Sequence, residues 1–212
     1  MSHPREAWYA LGGSVGLEPG MARPVSLFGE DLALWRAQGG EARVWRNRCR
    51  HRGMRLSHGF VRGEQLVCAY HGWRYALDGS CAFIPAHPDT PPPAQLTIPA
   101  VESRERHGLI WASLAEQPGQ PPDLSQLEPL IFCRSLFVAA APAVIEARLA
   151  GNGPAPGLLT HEADERLLLA LQPESGETAW LHLLIAGPAD DGTRLKVAKW
   201  AAALRARLEA AP

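Results

Sequence analysis

The stretch that decides the fold runs from Cys49 to Trp73, CRHRGMRLSHGFVRGEQLVCAYHGW, and it holds two short segments of the same character. Cys49-Arg50-His51 offers a thiol and an imidazole, and after sixteen intervening residues Cys68-Ala69-Tyr70-His71 offers the same pair again. Two thiolates and two imidazoles form the donor set of a [2Fe–2S] centre whose irons differ, with two cysteines on one and two histidines on the other. A Cys and a His two or three positions apart on a tight loop can reach different irons. The residues between the segments suffice for a strand pair that brings the second loop opposite the first. Gly53 and Gly72 permit tight turns and let backbone N–H groups approach the bridging sulfides. Met54, Leu56 and Trp73 would supply an apolar shell that limits water access and so tunes the potential. A tetrahedral zinc site uses the same side chains. Zinc sites usually take their cysteines as a close pair, however, whereas each segment here contributes a mixed one.

With its flanks, CRHRGMRLSHG…LVCAYHGWRYALDGSCAFIP resembles the cluster-binding segment of the Rieske non-haem iron oxygenases. AWYALGG…RPVSLFGEDLALWRAQGG is similar to that family's N-terminal strands, so the resemblance covers roughly residues 7–114. It implies that Cys49 and Cys68 bind one iron and that His51 and His71 bind the other through neutral rings, giving one [2Fe–2S] cluster per chain. Rieske proteins of respiratory complexes carry a further cysteine in each loop, joined as a disulfide, whereas Met54 and Tyr70 stand at the nearby positions here. The hydroxyl-bearing residue expected after His-Gly in those proteins is replaced by Trp73. With one hydrogen bond to sulfur fewer, the potential is expected toward the lower part of the roughly −150 to +300 mV Rieske range.

Outward from these loops the N-terminal half reads as antiparallel β structure. ARPVSLF, LALWRA and EARVWRN are short apolar runs separated by Gly29-Glu30-Asp31 and Gln38-Gly39-Gly40. Further runs at 65–68, 73–76, 81–84, 96–101 and 109–114 are broken by Asp78-Gly79, a Pro-rich stretch at 85–93 and His107-Gly108. The expected fold class is an all-β Rieske domain, an antiparallel β sandwich or small barrel, over residues 1–117. Gln117–Pro122 is the linker candidate. A small α+β domain, a reduced remnant of an oxygenase catalytic domain, is expected over 118–212. It would hold a strand at Leu136–Ala140, a helix at Pro142–Leu149, a break at GNGPAPG, a hairpin of Arg166–Leu171 and Ala179–Ala186, and a closing helix at Val197–Ala210.

The chain has 212 residues, 46% of them hydrophobic, enough to bury a core. Gly and Pro make up about 18% of it, against a usual total near 12%, which disfavours an all-helical fold. With 21 basic and 22 acidic side chains, neither nucleic acid nor an anionic membrane has compositional support, and no basic patch is expected. No stretch approaches the ~18 apolar residues of a spanning helix, and the N-terminus lacks a basic-then-apolar leader. A soluble, cytoplasmic protein is expected, with Cys49, Cys68, Cys81 and Cys133 as metal ligands or buried thiols rather than disulfides. Cys81, in SCAFIP, reads as a buried structural thiol.

In the family resembled, a larger catalytic domain holds one iron by two histidines and a carboxylate. VAAAPAVIEARLAGNGPAPGLL is similar to the strand-then-helix entry to that site. Matching Val144-Ile145-Glu146 puts Ala150 at the bridging aspartate, Gly153 at the first histidine and Leu158 or Thr160 at the second, so no mononuclear iron site is expected. No histidine occurs between His107 and His161. A replacement would draw on His161, Glu162, Asp164 and His182, with His161, Asp164 and His182 as one such set. The plainer reading makes HEADE a solvated turn and His182 a position on an amphipathic strand. His58, His87 and His107 read as surface or loop histidines. About 95 residues also leave little room for iron plus an organic pocket of at least ~300 Å³.

The function expected is one-electron carriage within an oxygenase system, with a reductase or ferredoxin as donor and an oxygenase as acceptor. The resemblance implies assembly as a homo- or hetero-trimer. The alternative is a compact oxygenase that hydroxylates or demethylates a small aromatic substrate, which needs a third iron. A redox or iron sensor is the weakest reading, since no DNA-binding motif supports it.

Overall fold

Short apolar runs bounded by Gly and Pro can bury their backbone polar groups only by pairing, and here they pair as antiparallel strands. The computed structural model describes residues 3–149, 155–161 and 164–210, with backbone alone at 161, 164 and 165. The first strands are β1 (Trp8–Gly13), β2 (Ala22–Leu27), β3 (Glu30–Arg36), β4 (Ala42–Arg46), β5 (Phe60–Arg62), β6 (Gln65–Val67) and β7 (Arg74–Tyr75). They are followed by β8 (Cys81–Phe83), β9 (Ala100–Arg106), β10 (Leu109–Ser113), β11 (Leu130–Val138), β12 (Leu158–His161), β13 (Asp164–Pro173) and β14 (Ala179–Ala186). The helices are α1 (Pro142–Leu149) and α2 (Asp191–Glu209). Among the described residues no helix is long and apolar enough to cross a membrane.

These elements divide into two compact units, one of residues 16–26 and 30–103, the other of 1–15, 27–29 and 104–212. Neither is continuous in sequence, and the break expected near 118 falls inside the second. In the first unit β2, β3, β4 and the start of β9 lie side by side. Leu32, Ala33, Leu34 and Trp35 of β3 are all fully buried, as in a strand covered on both faces. Trp35 and Trp45 meet edge to face at 4.7 Å and join Leu56, Leu66, Tyr75 and Ile98 in one core. A second sheet, in the order β5-β6-β7-β8, has strands of only two or three residues. The Val67–Arg74 pair of β6 and β7 closes a loop over 68–73, while the end of β4 at Arg46 opens the loop over 47–55. The thiols and imidazoles singled out above sit on these two loops.

In the second unit β1 pairs with β10, and a four-stranded sheet runs in the order β11-β14-β13-β12. Strand alternation splits its leucines between two cores. Leu169, Leu171, Leu181 and Leu183 pack with Ile145, Ala201 and Leu204 of the helices, whereas Leu168 and Leu184 pack with Trp8 and Trp111. Strand β14 is therefore buried on both faces rather than amphipathic, which corrects the expectation for the segment around His182. The helix expected at Pro142–Leu149 is α1 to the residue. Strand β11 spans Leu130–Val138 rather than Leu136–Ala140, because it pairs with β14 along its length, from Leu130–Ala186 to Val138–Ala179. Helix α2 begins at Asp191 rather than Val197. The Asp190 side chain accepts the Thr193 N–H at 2.7 Å and caps polar turns that carry no apolar period. Strand β12 is not legible in the sequence.

Candidate metal centre

The two loops fold on one plan, written in a repeated Cys-x-x-x-Gly spacing. The Cys49 N–H donates to the Met54 carbonyl at 2.9 Å and the Gly53 N–H donates to the Cys49 carbonyl at 2.9 Å. In the other loop the Cys68 N–H donates to the Trp73 carbonyl at 2.9 Å and the Gly72 N–H to the Cys68 carbonyl at 3.0 Å. Both turns need left-handed backbone at the glycine, with φ of 71° at Gly53 and 70° at Gly72. Buried Asn47 anchors the first loop. Its Nδ2 donates to Asp31 Oδ1 and to Ser57 Oγ, each at 2.9 Å, and its Oδ1 accepts the Ser57 N–H at 2.8 Å.

Depth separates the donors. Cys49 and Cys68 are buried free thiols, at 4% and 2% exposure, while His51 and His71 are exposed. The two imidazoles lie 4.6 Å apart, edge to face. His51 stacks on Trp73 at 4.8 Å with the rings 6° from parallel, and Tyr70 leans on His71 at 3.8 Å. Met54, Leu56 and Trp73 form the apolar surroundings expected of them.

Electrostatics follow the same division. Burial pushes the Cys68 thiol above its ordinary value and Cys49 beside it adds to the rise, while the Tyr70 and His71 amides pull the other way. His51 is held below its ordinary value, first by desolvation, then by His71 and Arg52, so a neutral ring is favoured. The Tyr75 hydroxyl oxygen lies 3.1 Å from Cys49 Sγ and accepts the Arg50 N–H at 3.1 Å. With its oxygen accepting that amide, the hydroxyl proton is free to point at the sulfur. Burial and then Cys49 raise the Tyr75 phenol, which keeps that proton in place. Sequence reasoning missed Tyr75. The signal was there, in a tyrosine two positions after Trp73 on the strand leaving the second loop.

Of the candidate set His161, Asp164 and His182, the side chain described is that of His182. His182 is buried, with Nδ1 2.8 Å from Ser135 Oγ and Nε2 2.8 Å from Gln172 Oε1, so both ring nitrogens are engaged by polar neighbours on β11 and β13. Ala150, Gly153 and Glu162, and the side chains of His161 and Asp164, lie outside the described residues. Among the described residues, no three His, Cys, Asp or Glu side chains surround a single-ion position. His58 and His87 are exposed, whereas His107 sits on a turn, as its surface-or-loop reading allows, with its side chain only 5% exposed. Its Nδ1 lies 2.6 Å from Glu128 Oε1 and its Nε2 accepts the Leu124 N–H at 3.1 Å, so it pins the turn it sits on. Cys81 is buried and Cys133 half-buried, each against a carbonyl of its own strand. The near-neutral composition conceals a local basic patch, since Arg48, Arg50 and Arg52 of the first loop are all exposed.

Comparison with known proteins bears on the same segment. Residues 7–100 match the family model of the Rieske [2Fe-2S] domain. Over 115 residues, 54% of this chain and 20% of the relative, the sequence is 40% identical to the oxidoreductase NdmD of Pseudomonas putida. Over 90 residues, 42% of this chain and 25% of the relative, it is 41% identical to the methylxanthine N1-demethylase NdmA of the same species. The chain thus spans a quarter or less of the length of these relatives. The solved structure of NdmA from Pseudomonas putida CBB5 superposes with a TM-score of 0.78 at 20% identity, covering 98% of this chain and 83% of that one, which establishes a shared fold.

The matched segment, residues 7–100, is a Rieske [2Fe–2S] domain, and such a domain indicates a [2Fe–2S] cluster. That domain is similar to parts of proteins named as an oxidoreductase and a demethylase.

Proposed function

We propose that Cys49 and Cys68 hold one iron and His51 and His71 the other, and that this chain carries single electrons within an oxygenase system. The observation that carries the reading is the pair of touching, exposed imidazoles beside two buried thiols on loops of identical hydrogen bonding. When bound, the cluster supplies a one-electron couple between a diferric and a mixed-valence state.

The chain's own residues do the rest. The buried thiols ligate as thiolates, and the neutral rings leave a nitrogen lone pair for metal. Tyr75 directs its hydroxyl at the Cys49 sulfur and the Tyr70 and His71 amides face the Cys68 sulfur, lowering the energy of added negative charge there. Leu56, Met54 and Trp73 keep water off that side. Exposure of His51 and His71 makes their edge the side where electrons enter and leave.

A reductase or ferredoxin fits as donor and an oxygenase as acceptor, with a homo- or hetero-trimer as the assembly. A cytoplasmic setting belongs to the same reading, in which Cys49 and Cys68 are ligands and Cys81 and Cys133 are thiols rather than disulfide partners. Carriage is favoured over a compact oxygenase because His182, one member of the candidate iron-binding set, is engaged at both ring nitrogens by Ser135 and Gln172.

Iron and acid-labile sulfide per chain, measured on protein purified without oxygen, test both parts. Two irons with two sulfides are expected. A third iron, with oxygen-dependent turnover of an aromatic substrate, would overturn carriage in favour of the oxygenase. One zinc and no sulfide would overturn the cluster assignment itself.

A further inference from the structure

Four arginines fall within the eight residues from Arg48 to Arg55, with no acidic residue among them, in a chain whose net charge is −1. The nearby carboxylates are already engaged. Glu30 pairs with Arg46, and Asp31 accepts from Arg55 and Asn47 at 2.9 Å. Arg48, Arg50 and Arg52 are exposed, and no ion pair with another described residue neutralises them. Arg50 and Arg52 flank exposed His51 in sequence. Beside His71 the ring of Tyr70 is 59% exposed, an aromatic side chain that burial of the core does not explain. Tyr70, His71, His51 and Trp73 are in successive ring contact, so aromatic surface and positive charge adjoin the imidazoles.

An exposed aromatic rimmed by arginine is the composition of a binding hot spot, and unneutralised charge of one sign selects a partner of the other. Resting on the carrier reading above, we propose that Arg48, Arg50, Arg52 and Tyr70 form the docking surface for an acidic one-electron carrier protein. The arginines steer the encounter and Tyr70 is covered in the complex. The exchange is of one electron: the partner's centre loses it, and one ferric ion held by this chain becomes ferrous, with no bond made or broken. Docking elsewhere would leave the exposed imidazole edge unused, because the thiol side is sealed by the core.

The test is binding of the cluster-loaded protein to an oxidised, strongly acidic plant-type [2Fe–2S] ferredoxin, followed by titration calorimetry between low and high salt. The wild type is expected to bind with an affinity that falls steeply as salt rises. The R50E/R52E variant should lose about tenfold or more at low salt and most of the salt dependence. Y70A should lose affinity without changing the salt slope. Iron and sulfide per chain should stay at the wild-type values in R50E/R52E, which separates this proposal from the carrier reading. If the wild type itself assembles no cluster, that reading fails; if it loads and reduces normally but binds regardless of charge reversal, only the docking surface fails. A shift of R50E/R52E to a smaller oligomer would overturn the proposal in favour of contact between copies of this chain. Salt-sensitive capture of an oligonucleotide, lost in the same variant, would overturn it in favour of phosphate recognition.

Discussion

His51 and His71 in one unit and His182 in the other are the same side chain put to opposite uses. The first two are exposed, touch each other and rest on aromatic rings, and among the described residues none hydrogen-bonds to their ring nitrogens. His182 is buried and both its nitrogens are occupied by Ser135 and Gln172, across three neighbouring strands. A histidine free to act on a metal is one whose lone pair the fold has left available. A histidine whose ring is shared between two neighbours serves the sheet that surrounds it.

Substitution can break this contrast, most severely at the loops. His71→Ala or Cys68→Ser should abolish the cluster, with iron and sulfide per chain falling toward zero. Full retention of two irons would refute the ligand assignment. The opposite profile is expected for His182→Ala, which leaves a cavity and strips hydrogen bonds from a buried sheet. Thermal stability should drop by about 2–4 kcal/mol while iron per chain stays at the wild-type value. Loss of an iron beyond the cluster's two, with sulfide unchanged, would mean that His182 is a ligand after all.

Tyr75→Phe sharpens the comparison within the cluster unit, since it removes one hydroxyl and little else. Loss of a hydrogen bond worth about 1–2 kcal/mol to the reduced state should lower the midpoint potential by roughly 40–90 mV, with iron content intact, as read by redox titration. An unchanged potential would show that the hydroxyl proton does not face the sulfur. Gly53→Ala should cost about 1–2 kcal/mol through left-handed backbone alone, because nothing lies within 4 Å of an added methyl group there. Gly72→Ala should cost more, as its methyl group would meet Pro85 at 3.2 Å.

The smallest effect belongs to the helix cap of the second unit. Hydrogen bonds from Thr193 hold the Asp190 carboxyl below its ordinary value of 3.8. A depressed carboxyl contributes stability above that ordinary value and loses it as pH falls through the folded-state value. Asp190→Ala should therefore lower the melting temperature slightly at pH 7, and the gap from wild type should close as the solution is acidified below pH 4. A gap that persists in acid would assign the effect to lost packing.

Much of the centre was readable before any coordinates. Cys49, His51, Cys68 and His71, with the glycines that turn each loop, are local facts: donor type and spacing are written in consecutive residues. The same holds for helix α1, whose bounds the Pro142 start and the following Gly/Pro break mark out. What eluded the sequence depends on residues far apart in the chain. Tyr75 reaches the sulfur of a cysteine 26 positions away. His107 is held by Glu128 and by the Leu124 N–H, and β11 extends to Leu130 only because β14 pairs with it that far.

By itself, then, the sequence determined which residues can serve as donors, the turn chemistry that presents them and the antiparallel character of their scaffold, since backbone preference and ligand chemistry act over a few residues. Tertiary structure alone decided which histidines keep a lone pair, which hydroxyl faces a sulfur and which arginines stay unneutralised. Those outcomes depend on strand register and burial, which bring together residues that no short window of sequence contains.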